Sequence, residues 1–162
     1  MTGVIDVTAV DDHPIIRDSV AGWVRAGQGD IRVVATAATV DALLAGPGRR
    51  ANVVLLDLDL GDGTSPEGNV AAIRAAGPEV LVLSASDRPA AVRAAMHAGA
   101  RGYALKNEQA DQIRSAIREI AAGRDWISLA SPTSSPPMTT SAGQLSVIRK
   151  GARCNSTRPV CH

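Results

Sequence analysis

A dense group of carboxylates follows an apolar run near the middle of the chain. The stretch VVLLDLDLGDGT, residues 53–64, passes from Val and Leu directly into Asp57, Asp59 and Asp62, which stand among glycines. Carboxylates held this closely repel one another unless a cation compensates their charge. A hard divalent cation such as Mg²⁺ does so naturally, because it binds about six oxygen ligands and retains several waters. The spacing therefore predicts a magnesium site at the end of this apolar run.

Four further side chains have the types needed for phosphoryl chemistry around such a cation. Asp11 and Asp12 follow an earlier apolar run and can add oxygen ligands, while Ser84 and Lys106 follow two later runs. With a cation bound, the Asp57 carboxylate can act as a nucleophile towards a phosphoryl group. A lysine and a hydroxyl can hold the remaining phosphoryl oxygens. The chain therefore carries every residue type that phosphoryl transfer to a carboxylate requires.

These residues need a scaffold that brings the ends of separate apolar runs together. Each run is short and rich in Val, Ile and Leu, as strands are, and each is followed by apolar residues at helical spacing. The strict alternation predicts a doubly wound α/β fold with five parallel strands and five helices. Such sheets bind ligands beyond the carboxyl ends of their strands, where the strand order reverses. The predicted strands are Val4–Val10, Ile31–Ala35, Val53–Leu56, Val80–Leu83 and residues 101–105.

The composition of the 162-residue chain limits the classes of function. With 45% hydrophobic and 20% charged residues, it is typical of a globular domain with some additional length. The net charge of +1 and the scarcity of aromatic residues do not indicate a nucleic-acid surface. No run approaches the ~20 apolar residues that span a bilayer, and the N-terminus lacks a secretory signal pattern. Cys154 and Cys161 lie near the C-terminus, so we expect a cytoplasmic protein without membrane contact.

The composition changes towards the C-terminus. Beyond residue 130 the chain reads SPTSSPPMTTSAGQ, which is rich in Ser, Thr and Pro, as flexible linkers are. The last residues have an apolar patch without sustained periodicity and are too few to build a core alone. We therefore expect a folded domain at residues 1–128, and a disordered linker and tail at residues 129–162.

Four motifs together resemble those of a known family. They are VDDHP (residues 10–14), VVLLDLDLGDG (53–63), VLVLSAS (80–86) and AGARGYALK (98–106). Their order and spacing are similar to the receiver domain of two-component response regulators, closest to the NarL/FixJ-type subgroup. The resemblance implies a flavodoxin-like (CheY-like) fold, a sensor histidine kinase as partner and Mg²⁺ as cofactor. It implies no enzyme beyond phosphotransfer to itself and slow autodephosphorylation.

The resemblance also implies roles for the acidic residues. Asp57 is implied to be the phospho-acceptor, charged from the phosphohistidine of the kinase. Asp11 and Asp12 are implied to bind Mg²⁺ together with Asp57 and the main-chain oxygen of Asp59. The side chain of Asp59 is interpreted as a turn residue. His13 stands beside a proline at a helix start and is interpreted as structural rather than as a catalytic base.

The remaining site residues are implied to convert phosphorylation into a surface change. Ser84 would hydrogen-bond the phosphoryl group and Lys106 would pair with it. Tyr103 matches the aromatic that changes rotamer when Ser84 is drawn inward. The added charge and acceptor oxygens at Asp57 would thereby alter the surface formed by the fourth helix, fifth strand and fifth helix. We also expect a homodimer through the last two helices.

Each of these residues has a purely structural alternative. Asp11 and Asp12 are favourable N-cap residues for the first helix, and Ser84 for a later one. Lys106 would then be a surface lysine, and Tyr103 would pack half-buried.

Three departures from the family pattern limit the resemblance. Gly61 stands where the family usually has Pro, which predicts a more mobile loop, and Asn107 follows Lys106 where many relatives have Pro. No LuxR-type helix-turn-helix is recognisable in the tail. We therefore expect a lone receiver with a truncated or frame-shifted output domain, which would reach DNA only if an output domain exists outside this chain.

Two other functions are compatible with parts of the pattern. DLDLGDGT superficially resembles the DxDxT loop of haloacid-dehalogenase-type phosphatases, but Gly61 stands where that loop has Thr. A degenerate receiver that only binds proteins is the other alternative, and the presence of Asp57, Ser84 and Lys106 argues against it.

Overall fold

The structure is a computed structural model and describes residues 3–27 and 29–128. Strands and helices alternate along these residues. This confirms the predicted α/β alternation, whereas the predicted tail at residues 129–162 lies outside the described residues. A short 3-10 helix spans Pro47–Arg50. The elements are β1 (Ile5–Val10), α1 (Pro14–Arg25), β2 (Ile31–Ala37), α2 (Val40–Ala45), β3 (Val53–Asp57), α3 (Pro66–Ala76), β4 (Glu79–Ser84), α4 (Pro89–His97), β5 (Gly102–Leu105), α5 (Ala110–Ala121) and β6 (Trp126–Ile127).

The strands form one parallel sheet with the order β2-β1-β3-β4-β5-β6. The predicted number of five strands is wrong, because Trp126 and Ile127 add a sixth by pairing with Gly102 and Tyr103. Two residues carry no periodic pattern, since recognisable strand signals span about four to eight residues. The strand order reverses between β1 and β3, so the crevice that binds ligands in such folds lies at the carboxyl ends of these two strands.

Helices cover both faces of the sheet. All five residues of β3 are buried: Val54 packs in the cluster that includes α2, α3 and α4, and Leu55 in the cluster that includes α1 and α5. The isoleucine stripe of α5 (Ile113, Ile117 and Ile120) is buried in the second cluster, as predicted. Burying one such side chain stabilises the fold by about 1.5–3 kcal/mol. Within residues 3–27 and 29–128, every helix is too short or too polar to cross a membrane.

The absence of a side chain at Gly102 lets two elements approach β5 closely. A Cβ at this position would lie 2.5 Å from Cδ1 of Ile120 in α5 and 2.9 Å from the main-chain oxygen of Trp126 in β6. Any larger residue would push α5 or β6 away from the sheet. Gly102 is therefore part of the reason that a sixth strand fits at this edge.

An ion pair connects α5 to the loop before β2. Arg118 donates two hydrogen bonds to Asp30, from Nε to Oδ2 at 2.5 Å and from Nη2 to Oδ1 at 3.0 Å. These hydrogen bonds are the main reason that the pKa of the Asp30 carboxyl lies below its usual value. Both side chains are more than one-third exposed. Solvent screening therefore limits the contribution of this ion pair to the free energy of unfolding to less than about 1 kcal/mol.

Replacing Asp30 with Asn should lower the free energy of unfolding near neutral pH by less than about 1 kcal/mol. Because the folded-state pKa is lowered, ionised Asp30 stabilises the fold above the unfolded carboxyl pKa of about 3.9, and this contribution is lost as the pH falls through the folded-state pKa. Urea unfolding of wild type and Asp30→Asn at about pH 7 and about pH 3 measures the effect. Asp18→Asn, an exposed change on α1, is the control. A difference of equal size at both pH values would contradict this assignment.

Candidate functional site

Polar side chains from four strands meet at the carboxyl edge of the sheet. Asp57 is the last residue of β3 and Ser84 the last residue of β4, while Asp11 and Lys106 directly follow β1 and β5. Parallel strands end at the same edge, so these four residues are brought together although they are far apart in the chain. A cavity of about 420 Å³ opens there, and its lining includes Asp57, Ser84, Lys106 and Asp59.

Lys106 lies between two buried carboxylates. Its Nζ is 2.9 Å from Oδ2 of Asp11 and 3.0 Å from Oδ2 of Asp57. Both aspartates are only 5% exposed. Burial lowers the pKa of Lys106, but hydrogen bonds and charge attraction from Asp11 and Asp57 outweigh it and raise the pKa above its usual value. Lys106 is therefore a charged bridge within the site and not a solvated surface lysine.

The Asp57 carboxylate is held at both oxygens. Oδ1 accepts a hydrogen bond from the main-chain N–H of Asp59 at 3.2 Å, and Oδ2 contacts Lys106. Burial raises the pKa of Asp57 above the usual aspartate value, and the neighbouring Asp11 charge adds to the rise, although Lys106 and the Asp59 N–H oppose it. The surroundings therefore disfavour the ionised form of Asp57 relative to an aspartate in water.

Asp11 is better compensated than Asp57. Its Oδ1 accepts a hydrogen bond from the His13 main-chain N–H at 2.8 Å, and Nδ1 of His13 lies 3.1 Å from the same oxygen. Burial raises the pKa of Asp11, but Lys106 and His13 outweigh it, so the pKa is below its usual value. Arg17 additionally donates to the main-chain oxygen of Asp11 at 2.6 Å.

The structural alternatives for the acidic pair and the serine are wrong. The N-cap residue of α1 is His13, which makes no side-chain capping bond, so neither Asp11 nor Asp12 occupies the N-cap position. The N-cap residue of α4 is Arg88 and not Ser84. Arg88 lines the site cavity and was missed by the sequence analysis, because its position in the cavity depends on the path of the loop after β4 and not on its residue type.

The acidic residues have the donor set of a cation site. Asp11, Asp12, His13 and Asp57 each offer one ligand atom, and these atoms all lie within 4.8 Å of one another. Three of the four match the predicted ligands, and carboxylate oxygens suit a hard divalent cation. His13 was interpreted as structural, yet it belongs to this group, with Nδ1 2.7 Å from Oδ1 of Asp12.

Asp59 and Gly61 shape the loop beside the acidic group. The Asp59 side chain lies outside that group and accepts a hydrogen bond from the Gly61 N–H at 3.3 Å, as a turn residue does. Gly61 has a φ of 65°. Proline is confined to a φ of about −65°, so it could not adopt this conformation. A Cβ at Gly61 would also lie 3.3 Å from Oδ2 of Asp12.

Ser84 and Tyr103 both contact the loop between β4 and α4. Ser84 is 4% exposed, and its Oγ accepts a hydrogen bond from the Ser86 N–H at 3.1 Å. The Tyr103 hydroxyl donates to the main-chain oxygen of Ser86 at 2.6 Å. The structural alternative of a half-buried tyrosine is wrong, because Tyr103 is fully buried within the core. One residue of this loop thus connects the two predicted switch residues.

The sequence of this chain matches one protein family and several regulatory proteins. Residues 7–118 match the family described as the response regulator receiver domain. The transcriptional regulatory protein UhpA of Salmonella typhimurium is 34% identical over 120 residues, which cover 74% of this chain and 60% of UhpA. The oxygen regulatory protein NreC of Staphylococcus carnosus is 30% identical over 154 residues, covering 93% of this chain and 67% of NreC. The chain therefore spans about three-fifths of UhpA.

Solved structures show the same fold. The signal receiver domain of the response regulator NarL from Mycobacterium tuberculosis superposes with a TM-score of 0.68 at 32% identity, covering 75% of this chain and 99% of that domain. The isolated receiver domain of RcsB from Salmonella enterica, in the presence of a beryllium fluoride phosphomimetic, superposes with a TM-score of 0.68 at 21% identity, which supports the fold alone. The predicted absence of a helix-turn-helix concerns residues outside those described and stays a prediction.

Replacing Asp57 with Asn should raise the free energy of unfolding at neutral pH by about 0.5–2 kcal/mol. The raised pKa means that the folded state disfavours the ionised carboxylate, and Asn removes that charge while Lys106 keeps Asp11 as a partner. Asp59→Asn is the matched control, since Asp59 is exposed and should change stability little. Urea unfolding of both variants measures the effect. Loss of stability in Asp57→Asn would contradict the proposed charge balance.

Proposed function

Because this chain belongs to the response regulator receiver family, of the NarL/FixJ type, we propose that Asp57 accepts a phosphoryl group from the phosphohistidine of a sensor histidine kinase. The observation that carries this proposal is the position of the Asp57 carboxylate. It is buried at the end of β3, borders an open cavity, and is held at one oxygen by the Lys106 ammonium. A carboxylate so placed can be reached by a phosphoryl donor while its own charge is compensated.

The transfer exchanges one bond to phosphorus for another. A carboxylate oxygen of Asp57 forms the new bond as the bond between phosphorus and the histidine nitrogen of the kinase breaks, and the electron pair returns to that imidazole. Lys106 already contacts Asp57 and can pair with the phosphoryl oxygens as they arrive. The Ser84 hydroxyl lines the same cavity and can donate a hydrogen bond to them. The product is an aspartyl phosphate.

We propose Mg²⁺ as the cofactor, held by Asp11, Asp12 and Asp57 with the main-chain oxygen of Asp59. Bound there, it would offset negative charge on the transferring oxygens. The fit rests on the grouping of carboxylate oxygens around one point and on the buried charge of Asp11 and Asp57, which Lys106 alone compensates only in part.

The alternative functions are less well supported. A haloacid-dehalogenase-type phosphatase would need a Thr at position 61, where this chain has a glycine in a left-handed conformation. A scaffold that only binds proteins would have no use for the buried pairing of Lys106 with both Asp11 and Asp57. We propose that the activity is limited to self-phosphotransfer and slow autodephosphorylation.

The partners of this chain are proposals of the same kind. UhpA and NreC are named as regulatory proteins, and UhpA as a transcriptional one, so we propose a role in transcription regulation if an output domain accompanies this chain. A cytoplasmic histidine kinase domain would be the phosphoryl donor. A second copy could pack on the last two helices, α4 and α5. Beside α4, Val92 and Met96 line an apolar groove of about 340 Å³ together with Ile127 of β6.

Acetyl phosphate with Mg²⁺ should add the mass of one phosphoryl group to the wild-type protein, detected by intact mass spectrometry. Asp57→Asn should gain none, and Lys106→Met should gain far less, because the phosphoryl oxygens lose their cationic partner. Glu108→Gln is the control, because Glu108 lies near Lys106 in the chain but binds the Leu105 N–H instead of the acidic group. Equal labelling of Asp57→Asn and wild type would rule out Asp57 as acceptor.

Mg²⁺ should raise the thermal midpoint of the unphosphorylated protein. A ligand at 100 times its Kd stabilises the folded state by about 2.7 kcal/mol. Asp12→Asn should lose most of this shift because one carboxylate ligand is removed, and chelation should reverse it in wild type. The control is Asp62→Asn, an exposed change in the loop after β3 that lies outside the acidic group. A shift that survives Asp12→Asn unchanged would place the cation elsewhere.

A further inference from the structure

An arginine stands one turn into the helix that follows the first acidic pair. Residues 11–17 read DDHPIIR, with His13 as the N-cap residue of α1 and Pro14 in its first turn. Proline is preorganised for the start of a helix, so the start of α1 relative to the acidic pair is well defined. Side chains on a helix lean back towards its N-terminus. The half-buried Arg17 therefore extends towards the residues that precede the helix.

Arg17 holds the peptide group that joins Asp11 to Asp12. Its Nη1 donates a hydrogen bond to the main-chain oxygen of Asp11 at 2.6 Å. The N–H of Asp11 still bonds to Ala37 of β2 at 3.1 Å, but the chain leaves the sheet here, and no main-chain N–H of the described residues donates to the Asp11 oxygen. A guanidinium is a strong, charged donor with a rigid geometry. Arg17 therefore fixes the orientation of this peptide group.

The side chain of Asp12 has less support than those of the other two aspartates in the acidic group. Asp11 and Asp57 are buried, and each contacts the Lys106 ammonium and accepts a main-chain N–H. Asp12 is exposed, and its one ion pair in the part of the chain that the structure describes is with His13, whose side chain is itself 65% exposed. The position of the Asp12 carboxylate therefore depends mainly on the main chain that carries it.

We propose that Arg17 is a positioning residue for the divalent cation: by holding the Asp11 main-chain oxygen, it orients the Asp12 carboxylate towards the cation. The inference deepens the proposed function, since it rests on the binding of Mg²⁺ by the acidic residues. Groups that orient metal ligands from outside commonly change metal affinity about 10–100-fold when they are removed. Arg17 would act in this way because it limits the orientations of Asp12 before the cation binds.

The positive charge of Arg17 acts in the opposite direction, which makes the two effects separable. A guanidinium close to the acidic group repels a divalent cation, so removal of the charge alone would strengthen Mg²⁺ binding. Loss of the hydrogen bond to Asp11 would weaken Mg²⁺ binding, because Asp12 would no longer be held in place. The direction in which the Mg²⁺ affinity changes therefore shows which effect dominates.

Isothermal titration of the full chain with MgCl₂ measures the Kd for Mg²⁺. Arg17→Met removes both the charge and the donor and should raise the Kd about tenfold. Arg17→Gln, whose side chain is shorter, is a second variant with the same expectation, and circular dichroism checks that each metal-free variant is folded. Arg17→Lys keeps a charged donor on a side chain of similar length, so part of the affinity should return. The control is Arg25→Met, which removes the same charge from an exposed position at the end of α1 and should leave the Kd unchanged.

A double-mutant cycle tests whether Arg17 acts through Asp12. Asp12→Asn keeps one side-chain oxygen, so Mg²⁺ binding should be weakened but measurable. Adding Arg17→Met to Asp12→Asn should weaken binding by much less than about tenfold, because the carboxylate that Arg17 positions is already lost. Equal effects of Arg17→Met in the wild-type and Asp12→Asn backgrounds would overturn this route.

The cofactor proposal and the role of Arg17 fail in different ways. Absence of Mg²⁺ binding to the wild-type protein would overturn the cofactor proposal, and the role of Arg17 with it. Binding that is weakened in Asp12→Asn but unchanged or stronger in folded Arg17→Met would leave the cofactor proposal standing and overturn the positioning role. The same loss of affinity in Arg25→Met, or no recovery in Arg17→Lys, would also overturn the positioning role.

Discussion

The contact on which the site depends is the Lys106 ammonium between the carboxylates of Asp11 and Asp57. Two buried negative charges a few ångströms apart would repel each other strongly in a medium of low dielectric constant. Burial, with a smaller contribution from the Asp11 charge, keeps the pKa of Asp57 raised despite Lys106, whereas Lys106 and His13 lower the pKa of Asp11. The carboxylate that is left poorly compensated is the one that borders the open cavity, and it is the one we propose as phosphoryl acceptor.

The fold makes this arrangement possible at the expense of stability. Because both faces of the sheet are covered by helices, β3 is buried along its whole length, and a residue at its carboxyl end emerges only at the crevice. Charged side chains placed there are desolvated by their surroundings. Functional sites commonly keep such locally unfavourable features, which the remaining core stabilises. Here the large apolar clusters on either face supply that stability.

Much of the fold and of the site could be predicted from the sequence. Strands β1 to β5 are long enough to show a pattern, and the rule that parallel strands end at one edge predicted the meeting of Asp11, Asp57, Ser84 and Lys106. β6 could not be predicted, because its two residues have no periodicity and depend on the space beside Gly102. The burial of Tyr103 also could not be predicted, since it depends on where the Ser86 carbonyl lies.

Several side-chain contacts in the site also could not be predicted from the sequence, because they depend on distances between side chains and not on residue types. Lys106 was expected to pair with a phosphoryl group. Its contact with Asp11 depends on how closely the carboxyl ends of β1 and β5 approach each other, which only the structure shows. His13 looked structural in the sequence, and only the coordinates show its Nδ1 beside the oxygens of Asp11 and Asp12. The sequence showed that Gly61 departs from the family pattern, but only the coordinates show its positive φ and its position close to Asp12.

The central claim is that the Asp57 oxygen itself becomes phosphorylated, and chemical trapping tests it most directly. Borohydride reduces an aspartyl phosphate to homoserine, so the protein would be incubated with acetyl phosphate and Mg²⁺, reduced, digested and sequenced by tandem mass spectrometry. The account predicts homoserine at position 57 and at no other aspartate. Homoserine at Asp11, Asp12 or Asp59 with Asp57 intact would contradict it.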